Sequence, residues 1–61
     1  MKKFYVTLVY ELKGYCIKAY APDEITLRRH LKDYYGRLWC SVYPEDRRPP
    51  ERVIGETLYV G

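Results

Sequence analysis

The soft metal ligands in this chain are few: one histidine, His30, and two cysteines, Cys16 and Cys40. A histidine acting as general base needs a nucleophile or carboxylate partner within hydrogen-bond reach. The neighbours of His30 are Arg28, Arg29 and Lys32, so it reads as a surface or boundary histidine and the chain as a non-enzyme. Cys16, His30 and Cys40 are spaced by 14 and 10 positions, whereas zinc sites usually begin with two cysteines about two to four residues apart. No metal and no cofactor is expected. The glycines are isolated at turns and ends, which leaves no phosphate-cradling loop.

Binding chemistry is better represented. Tyr5, Tyr20, Trp39 and Tyr43 alternate in sequence with positions that would place them on one sheet face, together with Lys3, Lys18 and Arg37. Rings interleaved with cations suit single-stranded nucleic acid, because bases stack on the rings while cations neutralise phosphates. Arg28, Arg29 and Lys32 would add charge from a helix. Two other readings compete: Tyr and Trp are good strand formers wherever they occur, and the same residues anchor protein interfaces. The leading expectation is a small binding protein for single-stranded nucleic acid. The alternative is a protein-interaction module, either a homodimer or an inhibitor of a host protein.

These residues need a sheet to align them. From Lys3 to Leu12 the chain alternates, with Phe4, Val6, Leu8, Tyr10 and Leu12 on one face, the period-two pattern of a half-buried strand. Lys13-Gly14 is a two-residue turn in which glycine supplies positive φ. A second strand over residues 15–21 then pairs Leu12 with Tyr15, Tyr10 with Ile17 and Leu8 with Ala19. Pro22, Asp23 and Glu24 break the strand and begin a helix over about 24–35. Thr26 is its expected N-cap, with a start near Pro22 as the alternative, and Gly36 sits at C′. Leu27, Leu31, Tyr34 and Tyr35 form the helix's apolar stripe.

A third strand is expected over 37–43. If Leu38, Cys40 and Val42 face the helix, then Trp39, Ser41 and Tyr43 face outward; a one-residue change of register would bury Trp39 instead. Cys16 and Cys40 then lie on opposite faces and remain free thiols, since a disulfide needs its two Cβ atoms close together. Residues 44–52 read as a solvated loop, whose Glu45-Asp46-Arg47-Arg48 run is alternatively an arm that folds on a partner. A short strand over 56–60 closes the chain, with Val53 and Ile54 plugging the space under the loop. The result is a single α+β domain, ββαββ, with a mostly antiparallel sheet of order 2-1-3-4 and the helix on one face. The strand–helix–strand crossover is expected to be right-handed.

Sixty-one residues leave room for one thin core. The formal charge is +3 and uneven: residues 1–43 hold eight Lys/Arg against four Asp/Glu, and residues 44–61 hold three against four. The basic surface therefore belongs to the folded body. No apolar run approaches the roughly 20 residues of a bilayer span, so no membrane partner is expected. With no secretory signal pattern and only two cysteines, the expected compartment is a reducing cytoplasm, that of the host if the source is a virus. Asn and Gln are absent while Lys, Arg, Glu and Tyr abound, a bias favoured by heat. That composition, in so short and Tyr-rich a chain, fits a product of a virus or mobile element of a thermophilic archaeon.

Overall fold

A computed structural model describes residues 1–9, 13–37, 39–55 and 57–61, with Cys40 described in its backbone alone. Five strands and one helix follow in the order β1 (Lys2–Leu8), β2 (Tyr15–Ala21), α1 (Glu24–Tyr34), β3 (Trp39–Pro44), β4 (Arg52–Val53) and β5 (Leu58–Tyr59). A 3-10 turn, Glu45–Arg47, follows β3 directly. The architecture is the small α+β domain expected, with one mostly antiparallel sheet and one helix.

β1 is the central strand, antiparallel to β2 on one side and to β3 on the other. The 2-1-3 part of the expected order is present, but the C-terminal segments lie beside β2 instead of β3. The sheet runs β3-β1-β2-β4, and β5 also pairs with β2. Both pairings are parallel. The reason is the reach of the polar connection after β3. Three residues of 3-10 turn and four extended residues span about 19 Å, more than the roughly 14 Å across three inter-strand spacings. The chain can therefore cross the sheet and pair beside β2. The expected loop over 44–52 accordingly gives up both its ends, Pro44 to β3 and Arg52 to β4.

The β1/β2 register differs from the expected one by four residues. Ile17 faces Val6, not Tyr10, and Ala19 faces Phe4, not Leu8; Tyr10 and Leu12 lie outside the described residues. An even slip leaves every side chain on its face, so alternation alone could not choose between the two registers. Leu8 instead pairs with Trp39 on β3. The β2 edge carries backbone bonds to the C-terminal segment, from Arg52 N–H to the Gly14 carbonyl and from Ile54 N–H to that of Cys16. Gly14 has φ +96, the left-handed region in which glycine is favoured.

Phe4, Val6, Leu8, Ile17, Ala19 and Val42 pack on the helix side of the sheet against Leu27 and Leu31, which are fully buried. The helix begins one turn earlier than a Thr26 cap would allow. Asp23, in extended conformation, is the N-cap, and its carboxylate accepts a hydrogen bond from Thr26 N–H at 2.7 Å. Two contacts within the cap, first from the backbone and then from the side chain of Thr26, hold the Asp23 carboxyl below its ordinary range. Gly36, with φ +59, ends the helix as expected, its N–H donating to the Leu31 carbonyl. Of the expected stripe, Tyr35 packs on the core, whereas Tyr34 is 68% exposed.

Candidate functional site

Strand pairing determines which of the ten expected nucleic-acid residues share a surface. Lys3 pairs with Tyr20, and Tyr5 pairs with both Lys18 and Tyr43. These five residues stand on the sheet face away from the helix, as the alternation required. Trp39 does not join them. Between Thr7 and Leu8 the β1/β3 register shifts, so that Thr7 faces Ser41 while Leu8 faces Trp39. This is a β-bulge, in which two steps of β3 oppose one of β1 and the strand's facing reverses. Val42 and Tyr43 keep their expected sides, and Trp39 turns to the helix side. There it packs on the core, with the Arg28 guanidinium 5.8 Å from its ring centre. Arg28, Arg29 and Lys32 are exposed on α1, on that same side, and Arg37 is exposed in the turn after it. The expected site is thus divided between the two faces of the domain.

The outer face is also not fully open. Residues 45–51 cross it as a strap between β3 and β4. The Arg48 guanidinium lies 5.6 Å from the centre of the Tyr5 ring, and the Cys16 thiol donates to the Glu51 carbonyl at 3.5 Å. Lys3 Nζ lies 3.7 Å from a Glu45 oxygen at the start of the strap. Pro49 is buried. Under this cover Tyr5 is 7% exposed and Cys16 fully buried, although both face away from the helix. Loss of water pushes the Cys16 thiol above its ordinary range, with Arg48 acting in the opposite direction and Glu51 reinforcing the shift. Thr7 and Ser41 complete this closed half: Ser41 N–H donates to Thr7 Oγ1 at 3.1 Å. Cys16 is a free thiol; the Cys40 side chain is outside the described residues.

The other half of that face remains accessible. Tyr20 on β2 and Tyr59 on β5 are register neighbours, and their rings stack with centres 5.5 Å apart and planes 11° from parallel. Tyr59 is 71% exposed, so its outward ring surface continues the stack into solvent. Lys3 and Lys18 are half-buried on the same face, with Lys3 Nζ 5.2 Å from the centre of the Tyr5 ring. Tyr5 as a hydrogen-bond partner, and behind it the charges of Tyr5, Tyr20 and Glu45, hold the Lys3 ammonium above the ordinary lysine range. An open cleft of about 440 Å³ adjoins Tyr20, bounded also by residues 1–4, Pro44, Glu45 and Asp46. Tyr59 was missed in the sequence because a two-residue strand carries no alternation to assign its facing.

The remaining chemistry-bearing residues are not brought together. His30 lies beside the Tyr34 ring, 5.6 Å between centres. Among the described residues no group of three or more His, Cys, Asp or Glu side chains is placed to hold a metal ion, and no helix is long and apolar enough to cross a membrane. No family model, no curated protein and no solved structure matches the chain.

Proposed function

We propose that the protein is a small non-enzymatic binding module that takes single-stranded nucleic acid on the accessible half of its outer sheet face. The observation that carries this reading is the Tyr20–Tyr59 stack with Lys3 and Lys18 beside it. A base can extend a two-ring stack through the exposed surface of Tyr59, and every base has a face able to do so. The adjoining phosphates fall to the two lysines. Trp39, Tyr5 and Tyr43 contribute little to this version of the site: Trp39 is on the helix side and the other two lie by the strap.

The test is fluorescence anisotropy of a labelled oligothymidylate across a range of salt. With about two phosphates neutralised, the log–log slope should lie near −1 to −2. Tyr59→Ala should cost about 1–3 kcal/mol of binding and leave the slope unchanged, because stacking releases no counterions. Lys18→Ala should reduce the slope by about one unit. If Tyr20→Ala and Tyr59→Ala together leave binding intact, the stack does not carry the nucleic acid and this reading falls; if they dissociate a dimer instead, the face is a protein interface and the alternative module replaces it. The source we propose is heat-adapted, a virus or mobile element of a thermophile acting in the host cytoplasm. What supports it is the absence of Asn and Gln, and a melting midpoint above about 65 °C is the expected result.

A further inference from the structure

The cleft beside Tyr20 lies at the end of the sheet where Lys3 faces Tyr20 and Phe4 faces Pro44 across neighbouring strands. In register Tyr20 stands between Tyr59 on β5 and Lys3 on β1. One face of its ring is taken by Tyr59, and the cleft, which Lys3 lines and Tyr59 does not, is on the other side. A base entering the cleft can therefore stack on the second face of Tyr20. Across β1 from that ring, directly after β3, Glu45 and Asp46 form an acidic wall, Glu45 with 65% of its side chain exposed and Asp46 exposed as well.

Charge decides which part of a nucleotide goes in. Lys2 and Lys3 are matched by Glu45 and Asp46, so the side chains lining the cleft carry no net charge and a phosphate gains little by entering. Ionised carboxylates accept hydrogen bonds and donate none, so this wall selects for a donor. Among the described residues Asp46 is in no ion pair, and Glu45 has only the 3.7 Å contact to Lys3, longer than a charge-assisted hydrogen bond. A phosphate taken by Lys3 releases Glu45 as well. Within a strand, deoxyribose has no hydroxyl to give, whereas ribose has one, its 2′-hydroxyl.

We infer that this cleft reads the ribose 2′-hydroxyl, so that the ligand of the outer face is single-stranded RNA in preference to DNA. Glu45 and Asp46 are the accepting groups, and Tyr20 is the platform for the base of the same nucleotide. The inference rests on the nucleic-acid reading of the outer face and names the nucleic acid. One hydroxyl donating to an exposed carboxylate makes a modest difference, about three- to tenfold in affinity.

Anisotropy titrations with labelled oligouridylate and oligodeoxyuridylate of equal length, which differ only in the 2′-hydroxyl, test this directly. At one salt concentration the ribose strand should bind about three- to tenfold more tightly. Glu45→Ala with Asp46→Ala, both at exposed positions, should strengthen the binding of both strands, because negative charge is removed and Lys3 is released. The same double variant should bring the two affinities level, so their ratio is the readout. A ratio that survives the double variant overturns the inference, because the hydroxyl is then read elsewhere. Equal binding of the two strands by the unmodified protein, or tighter binding of the deoxyribose strand, overturns it and leaves the outer-face reading standing. Binding of neither strand overturns the inference and the outer-face reading together.

Discussion

One face of the sheet is covered by eleven residues of helix and the other by seven residues of strap, yet the two coverings are held by different forces. The helix buries Leu27 and Leu31 completely against the sheet's aliphatic side chains, a contact that water cannot replace. The strap is held by one thiol hydrogen bond, a cation over a ring and a loose ion pair at its start. It also leaves one carboxylate oxygen of Glu51 buried without a hydrogen-bond partner, which costs stability. Both coverings carry the chain across the sheet, but only the first is built from core.

The largest effect should come from the helix side. Leu31→Ala removes a fully buried side chain and should cost about 2–5 kcal/mol in denaturant unfolding. A cost below about 0.5 kcal/mol would place Leu31 outside the core and erase the contrast. Arg48→Ala on the strap should cost under about 1 kcal/mol and should accelerate alkylation of Cys16 by a thiol reagent, since it loosens the cover over a buried sulfur. Unchanged alkylation would mean that the strap does not shield Cys16.

The pH dependence of the two regions differs in sign. On the strap side the Cys16 thiol is raised by burial, so its contribution to stability is complete below the unfolded thiol's pKa and is lost as pH rises through the folded value. On the helix side Asp23 is lowered, so its contribution is present above the unfolded carboxyl's pKa and is lost as pH falls through the folded value. Asp23→Asn keeps a capping oxygen and should flatten the acid limb of a stability-against-pH profile with little change near neutrality; Cys16→Ser should flatten only the alkaline limb. This titration effect is the smallest of the set.

The helix was legible because a 3.6-residue stripe needs no tertiary information, and Leu27, Leu31 and Gly36 occupy the places it assigned. The sheet faces were legible for the same reason, with period two in place of 3.6. What alternation could not supply was anything that shifts facing or position by a local event. The bulge that turns Trp39 inward leaves no mark in composition. The four-residue register slip preserves parity and is invisible to it. The strap is polar and proline-bearing and reads as solvated loop, although its reach across the sheet is what closes half of the expected site. Tyr59 gained its place only through the parallel pairing of β5 with β2, a long-range contact that two residues of strand cannot announce.

The most direct measurement is a heteronuclear NMR titration of the isotope-labelled protein with unlabelled oligothymidylate. The account predicts shift changes concentrated at Tyr20, Tyr59, Lys3 and Lys18, and none at the Trp39 indole or at Cys16 under the strap. Changes centred on Trp39, or no change at any residue up to about millimolar ligand, weaker than ordinary non-specific binding, would contradict it.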